Sequence, residues 1–435
     1  MPNGNPVVDP VPPTNHRVIT TVLFNALRPP SSKNHASAGR RLLGQAPGGK
    51  YAIISLLLET DLSANGKKVV VAMSGGVDSS VAAALLKEQG YDCLGVFMRL
   101  GNDPMQQADD ELVACSPEKA AKPHHQGCCS TNDAADARYV AGLLGIEFYA
   151  LNFQHDFGGI IDYFVREYNQ GRTPNPCVRC NEYLKFGKLS RYARAVGADF
   201  VATGHYARMG RDDAGAVQIL RAADHAKDQS YVLFGVPPDE LPRMMLPIGE
   251  YPKSEVRAMA QRFGLPVHDK PDSQEICFVP DNQYFNLVKK RSPETVKPGP
   301  IVDHDGKTVG THDGHQHFTL GQRRRVGVAL GYPVYVTSID AASNTVQIGP
   351  HEDLLHRQLI AREVNWLSAR PTEPIHCLAK IRYNTPPAPA LAHITGPDEL
   401  TVTFDEPVAA ITPGQAVVCY DGEVLLGGGW IERVQ

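Results

Sequence analysis

One stretch constrains this chain more than any other: Lys67-Lys68-Val69-Val70-Val71-Ala72-Met73-Ser74-Gly75-Gly76-Val77-Asp78-Ser79-Ser80. The β-branched run Val69 to Val71 predicts a buried strand. Two glycines then open a tight turn, and Val77-Asp78-Ser79-Ser80 begins an Ala- and Leu-rich helix that runs to about Gln89. Strand, glycine loop and helix N-terminus together make an anion site. Backbone N–H groups of the turn and first helical turn point outward without partners, the helix dipole adds partial positive charge, and the glycines permit close approach. The hydroxyls of Ser74, Ser79 and Ser80 offer further donors. The spacing is neither that of a Walker A loop, which needs Lys-Ser/Thr after the second glycine, nor that of a G-x-G-x-x-G dinucleotide loop.

Ser74-Gly75-Gly76-Val77-Asp78-Ser79-Ser80 resembles the signature of the PP-loop ATP pyrophosphatases, in which this loop holds the pyrophosphate that leaves when ATP adenylates a substrate. The pattern downstream fits such a domain. Strands are predicted at Cys93–Met98, Ile146–Asn152 and Phe200–Thr203, and helices at Asp133–Leu144, Phe157–Tyr168 and Asn181–Val196. This alternation is that of an α/β fold, a doubly wound parallel sheet whose ligands sit at the carboxyl ends of the strands, where the Ser74 loop, Met98 and Gly204 fall. After about Lys289 short β-rich segments with Asp305-Gly306, Asp313-Gly314, Asn344-Thr345 and Asp421-Gly422 turns take over. The alternation in Leu400–Phe404 and Gln415–Tyr420 reads as half-buried strands of a small barrel or sandwich. The expected division is a leader over 1–66, an ATP-binding catalytic domain over 67–290, a connector domain over 291–358 and a C-terminal β-barrel over 359–435.

A chain of 435 residues has room for two or three domains. No apolar run is long enough to cross a bilayer, Ile53–Leu58 being far too short, so no membrane partner is expected. A net charge of −4 argues against indiscriminate coating of nucleic acid, so RNA contact is expected from local patches. One such patch runs from Arg166 to Arg194, where Arg166, Arg172, Arg179, Lys185, Lys188, Arg191 and Arg194 face only Glu167 and Glu182; Arg323-Arg324-Arg325 is a second. Nine cysteines, unevenly spaced, point to a reducing compartment and reactive or metal-binding thiols. A cytoplasmic location follows, or an organellar one if the basic, acid-poor leader is a transit segment; its prolines argue instead for a disordered leader or an over-extended start. Asn102–Gln126 reads as a polar loop, its His124-His125 solvated or metal-binding.

Two further stretches carry sulfur chemistry. In Gly171-Arg172-Thr173-Pro174-Asn175-Pro176-Cys177-Val178-Arg179-Cys180-Asn181, the prolines hold an extended loop and Cys180 is expected at the start of the next helix. There the dipole, Arg172 and Arg179 would favour its thiolate. In Asp269-Lys270-Pro271-Asp272-Ser273-Gln274-Glu275-Ile276-Cys277-Phe278, Cys277 taken alone is a reactive thiol or a buried strand residue. Cys93, Cys377 and Cys419 lie in strand-like runs and read as core; Cys128-Cys129 join the thiol chemistry or cap the next helix.

These stretches occur in fixed order with Ala202-Thr203-Gly204-His205-Tyr206-Ala207-Arg208, Asp224-His225-Ala226-Lys227-Asp228-Gln229-Ser230-Tyr231, Leu320-Gly321-Gln322-Arg323, Arg382-Tyr383, Thr412-Pro413-Gly414-Gln415 and Leu426-Gly427-Gly428-Gly429. From Lys67 to the C-terminus the chain resembles the tRNA-specific 2-thiouridylases, which put sulfur on C2 of the wobble uridine. The resemblance implies ATP, with Mg²⁺ on its phosphates, at Ala72, Met73, Ser74, Gly75, Gly76, Val77, Asp78, Ser79, Met98 and Gly204. It implies a persulfide on Cys277, received from a sulfur-relay protein, and Cys180 as the partner thiol that ends in a disulfide with it. Asn175, Pro176 and Cys177 would face the target base, and His205, Lys227, Asp228, Gln229, Arg382, Tyr383 and Gln415 would contact the tRNA, bound by its anticodon arm to a monomer. Position 177 is often Asp in that family. Here it is Cys177, which makes a Cys-x-x-Cys and opens a second reading, a [4Fe–4S] cluster on Cys177, Cys180 and Cys277. Rival readings are a PP-loop amidotransferase, a thiocytidine-forming enzyme and a nucleotide-dependent RNA-binding protein without turnover.

Overall fold

The computed structural model describes residues 66–101, 131–272, 276–279 and 283–435. The leader up to residue 65, the Asn102–Gln126 insertion with His124 and His125, Cys128 and Cys129, and Ser273, Gln274 and Glu275 lie outside the described residues.

The strands of the first domain are β1 (Lys68–Ala72), β2 (Asp92–Arg99), β3 (Glu147–Asn152), β4 (Phe200–Ala202), the hairpin β5 (Ala207–Arg211) and β6 (Val217–Arg221), and β7 (Met244–Met245). Its helices are α1 (Val77–Glu88), α2 (Thr131–Leu144), α3 (Gln154–Asn169), α4 (Pro176–Arg179), α5 (Ser190–Ala195), α6 (Lys253–Arg262) and, following it, α7 (Tyr284–Arg291). Five strands form an all-parallel sheet in the order β3-β2-β1-β4-β7. Val69, Val70 and Val71 of β1 are fully buried because both faces of the sheet are covered. Val70, with Leu94 and Val96, packs against Phe157, Ile160 and Ile161 of α3. Val69 and Val71, with Cys93 and Phe97, pack against Val81, Ala137 and Val256 of α1, α2 and α6. The chain winds outward from β1 to β3, then returns to β4 on the other side of β1. The crevice between the loops that follow β1 and β4 is the switch point where such sheets bind ligands.

One helix differs from its expected start. The run expected from Asn181 begins at Pro176: the Asn175 side chain accepts the Val178 N–H at 3.4 Å, and Pro176 presets the first turn. α4 continues into a π-helical stretch, Cys180–Leu189, and then α5. Cys177 therefore occupies the first turn, while Cys180 stands where α winding widens to π. Gly187 permits the wide turn, since a Cβ there would lie 2.8 Å from the Glu182 carbonyl oxygen.

A four-stranded sheet follows, of β8 (Gly299–Val302), β9 (Thr308–His312), β10 (Tyr335–Asp340) and β11 (Thr345–Gly349) in the order β10-β11-β8-β9, around Ile301, Val336, Val346 and Ile348. Then β12 (Leu355–Trp366), β13 (Ile375–Lys380), β14 (Ala388–Gly396), β15 (Glu399–Ala409), β16 (Ala416–Asp421) and β17 (Val424–Val434) pair antiparallel in the order β12-β15-β14-β13-β16-β17. Pairing of β17 with β12 closes the barrel. β15 alternates as expected, with Leu400, Val402 and Phe404 inside. β16, read from its sequence as half-buried, is buried on both faces from Ala416 to Tyr420. Val417 and Cys419 face the barrel interior, whereas Ala416, Val418 and Tyr420 join the core under α3. The β5–β6 hairpin extends the barrel sheet through the pair Val424 and Leu220. Barrel and catalytic domain thus share one apolar core.

Candidate active site

The loop after β1 is shaped for close approach. Gly75 has φ +75°, and a Cβ on it would stand 2.2 Å from the Asp133 carbonyl oxygen at the head of α2. Gly76 caps α1 without any side-chain hydrogen bond, so the first-turn N–H groups keep their capacity to bind an anion. The Ser74 N–H donates to Ser79 Oγ at 3.0 Å, and Ser80 Oγ donates to the Gly76 carbonyl at 2.8 Å, which braces the loop from within. Gly204, after β4, passes so near the start of α1 that a Cβ would lie 2.6 Å from the Ser79 nitrogen. Met98, near the carboxyl end of β2, is half-buried against the core.

Cations that the sequence reading did not single out surround this loop. Lys270 Nζ donates to the Gly75 carbonyl at 3.0 Å and pairs with Asp133 and Asp136, both at 2.7 Å. Lys253, the first residue of α6, donates to both Asp78 carboxylate oxygens at 2.7 and 2.8 Å; Tyr206 also donates to Asp78, at 2.7 Å. Lys253 lies 2.9 Å from Asp272 as well, and Asp272 accepts from Lys227 at 2.9 Å and Arg257 at 2.8 Å. Burial alone would raise the Asp272 pKa, but its hydrogen bonds to Lys253 and Lys227 outweigh that and bring it down to about 2. The sequence signal for Lys253 was faint, a Pro252-Lys253 helix start. Lys270 and Asp272 sit in a stretch noted only for its cysteine.

The thiol segments converge on the core under α3. Cys180 and Cys277 are both half-buried against that cluster, and Cys177 is exposed. Phe278 anchors the Cys277 segment edge-on between Phe157 and Phe164 of α3, at 5.5 and 5.2 Å between ring centres. The barrel holds the loop that precedes Cys177. Thr173 donates its N–H to the Pro413 carbonyl at 2.9 Å, and Gln415 Nε2 donates to the Thr173 and Pro174 carbonyls at 3.1 and 2.9 Å. Arg179, buried beneath Trp430 at 4.1 Å, pairs with Glu182 at 3.0 Å and with Glu363 of β12 at 2.7 Å. Burial works against its charge, but the two carboxylates hold the guanidinium protonated more firmly than usual.

Several side chains expected to meet tRNA turn inward. His205 is buried between Thr203, whose Oγ1 lies 2.7 Å from Nδ1, and Lys185, 3.3 Å from Nε2; burial first, then Lys185, drives its pKa well below the ordinary 6.5. Asp228 is buried and accepts from the Ala222 and Ser230 N–H groups and from Ser230 Oγ, so it shapes its own loop. Gln229 accepts the Tyr206 N–H at 2.9 Å, and Arg382 donates to the Leu320 carbonyl at 2.8 Å and to Thr412 Oγ1. Tyr383, like Cys177, is exposed; partial burial of its ring, then Asp228 and Cys177 close by, push its hydroxyl pKa up. The basic run Arg166–Arg194 is largely neutralised by partners remote in sequence. Arg172 pairs with Glu432 as well as Glu167, Lys188 with Asp156, and Arg194 with Glu240. Among the described residues no three His, Cys, Asp or Glu side chains converge as metal ligands.

The architecture is a parallel sheet with a glycine loop at its switch point, fused to a closed barrel that holds a cysteine-bearing loop. Residues 67–281 match the family described as tRNA methyl transferase HUP domain, 286–350 the tRNA methyl transferase PRC-barrel domain and 356–431 the aminomethyltransferase β-barrel domain. Among curated relatives, the tRNA-specific 2-thiouridylase of Clostridioides difficile is 46% identical over 370 residues, covering 84% of this chain and 98% of the relative. That of Carboxydothermus hydrogenoformans is 48% identical over 371 residues, with the same two shares. That of Rhodopirellula baltica is 49% identical over 383 residues, 84% of this chain and 96% of the relative. The chain belongs to the tRNA-specific 2-thiouridylase family.

Proposed function

We propose that this protein makes 2-thiouridine at the wobble position of tRNA by activating the C2 oxygen with ATP and delivering sulfur from a persulfide on Cys277. The observation that carries the reading is the tie between the two halves of the chemistry. Lys270 and Asp272, on the stretch that leads to Cys277, are bonded to the glycine loop, Lys270 directly at Gly75 and Asp272 through the Lys253 it shares with Asp78. ATP is a substrate here. The N–H groups of Gly76, Val77 and Asp78, with Lys253 and Lys270, would receive its phosphates, and Asp78 would be the loop's carboxylate for a Mg²⁺ that neutralises the phosphate charge.

A uridine C2 carbonyl is a poor electrophile with oxide as its leaving group. When its oxygen attacks the α-phosphorus, pyrophosphate departs, and the oxygen can later leave as part of AMP. The terminal sulfur of the Cys277 persulfide then attacks C2. Cys180 thiolate attacks the Cys277 sulfur and breaks the S–S bond, whose electron pair passes to the sulfur now on C2 as AMP is expelled. The two thiols end as a disulfide, and an external dithiol returns them with two electrons. Phe278 and the apolar cluster on which both thiols rest would shield the persulfide from water. A sulfur-relay protein is the expected donor to Cys277. Asn175, Pro176 and Cys177 form the first turn beneath exposed Tyr383, where the base would enter. The test is Cys277→Ser: tRNA-dependent ATP/pyrophosphate exchange should persist while thiolation by a persulfide donor disappears. Thiolation that survives in Cys277→Ser, or that needs stoichiometric iron, would sink the persulfide route.

A further inference from the structure

The Asp272 carboxylate joins three segments that are far apart in sequence. Lys253 connects it to Asp78 of the glycine loop, Lys227 connects it to the buried turn around Asp228, and five residues beyond it comes Cys277. Arg257, one turn along α6 from Lys253, completes a ring of three cations on one half-buried anion. We infer that Asp272 is a positioning residue that sets the Cys277 segment against the nucleotide loop through the shared Lys253, so that thiol alignment depends on the state of the phosphate site. The inference rests on the proposed function and deepens it. Two arrangements support it. Lys253 is only 12% exposed and sits between the two carboxylates, so an anionic phosphate arriving beside Asp78 must redistribute a cation that Asp272 also holds. Lys270, two residues before Asp272, is bonded by a separate contact to the Gly75 carbonyl of the same glycine loop, a second tie between that loop and this stretch of chain.

The geometry separates the two half-reactions. Asp78 has its own bonds to Lys253 at 2.7 and 2.8 Å and to Tyr206 at 2.7 Å, so loss of the Asp272 charge is expected to leave the phosphate site in place. In the full-length chain, Asp272→Asn should leave tRNA-dependent ATP/pyrophosphate exchange within about threefold of native but lower thiolation by at least about tenfold, the cost of misaligning a reacting group. Asp272→Glu, which keeps the charge, should restore most of the loss. Proportional loss of both rates, or loss of neither, overturns the inference. Should Asp272→Asn fail to fold, as read by its urea midpoint, the native chain decides. A non-hydrolysable ATP analogue should change the rate of Cys277 alkylation, followed by mass spectrometry, by about threefold or more, since thiol reactivity follows its surroundings; an unchanged rate overturns the coupling. Native chain that shows no tRNA-dependent exchange would count against the functional reading alone, because the alkylation result stands without it.

Discussion

Replacing Gly414 by alanine tests whether the barrel governs the thiol loop. Gly414 lies between Pro413 and Gln415, the two barrel residues bonded to that loop, and has φ +88°. A Cβ there would stand 2.8 Å from the Thr173 carbonyl oxygen, 3.0 Å from the Thr173 nitrogen and 3.1 Å from Arg172 Cβ, so backbone rather than a flexible tip must yield. The left-handed backbone costs an alanine about 1–2 kcal/mol. Overpacking against fixed backbone adds about 1–3 kcal/mol. Gly414→Ala should therefore destabilise the chain by about 2–5 kcal/mol, and the strain falls on Arg172 and Thr173, just ahead of the Asn175 cap. Any shift there moves the helix that carries Cys177 and Cys180, and an ångström of misplacement costs about a hundredfold in rate. The assays are urea unfolding for stability and thiolation of a wobble-uridine tRNA for function, with ATP/pyrophosphate exchange as the internal control. Thiolation at the native rate in a folded Gly414→Ala chain would refute the argument that this turn positions the loop.

Other perturbations probe the loop and the buried histidine. Lys270→Met removes the cation that holds the Gly75 carbonyl and faces the buried Asp133; a stability loss of about 1–3 kcal/mol and a roughly tenfold rise in KM for ATP are expected. An unchanged KM, measured by pyrophosphate release, would show that Lys270 does not shape the phosphate site. His205 stays neutral in the folded chain because burial depresses its pKa well below 6.5. Above that value folded and unfolded forms carry the same charge, whereas below it only the unfolded form takes up the proton, so stability should fall as pH drops below about 6.5. His205→Gln should flatten that decline between about pH 7 and pH 5. If the urea midpoint follows the same curve in both proteins, another group is responsible.

The chemistry-bearing stretches were legible because their information is local. A β-branched run, two glycines and a helix start dictate a strand-loop-helix anion site whatever surrounds them, and the 3.6- and 2-residue periods of the following segments announce a parallel sheet, a change of texture after about Lys289 and half-buried barrel strands. Turn chemistry was equally local: Asp305-Gly306 and Asn344-Thr345 join β8 to β9 and β10 to β11. Pairing of charges is not local, and there the linear reading went astray. Most of the excess of cations over Arg166–Arg194 is offset once Asp156, Glu240, Glu363 and Glu432 fold onto them, and His205 and Asp228, polar by sequence, turn out to serve the interior. The start of the thiol helix was misread for a subtler reason, since Pro176 both ends one pattern and begins the next, and only the Asn175 cap shows which.

What the sequence determined by itself, then, is the set of reacting groups and the elements that carry them: a phosphate loop, two thiol segments and a barrel. What only the tertiary structure decided is how they are held together. β16 is buried on both faces because the barrel shares its core with the catalytic domain; Gln415 reaches the thiol loop, and Lys253 bridges Asp78 of the glycine loop and Asp272. Such contacts join residues up to 242 positions apart, and no local periodicity encodes them, because a hydrogen bond or an ion pair depends on where two side chains arrive, not on the sequence between them.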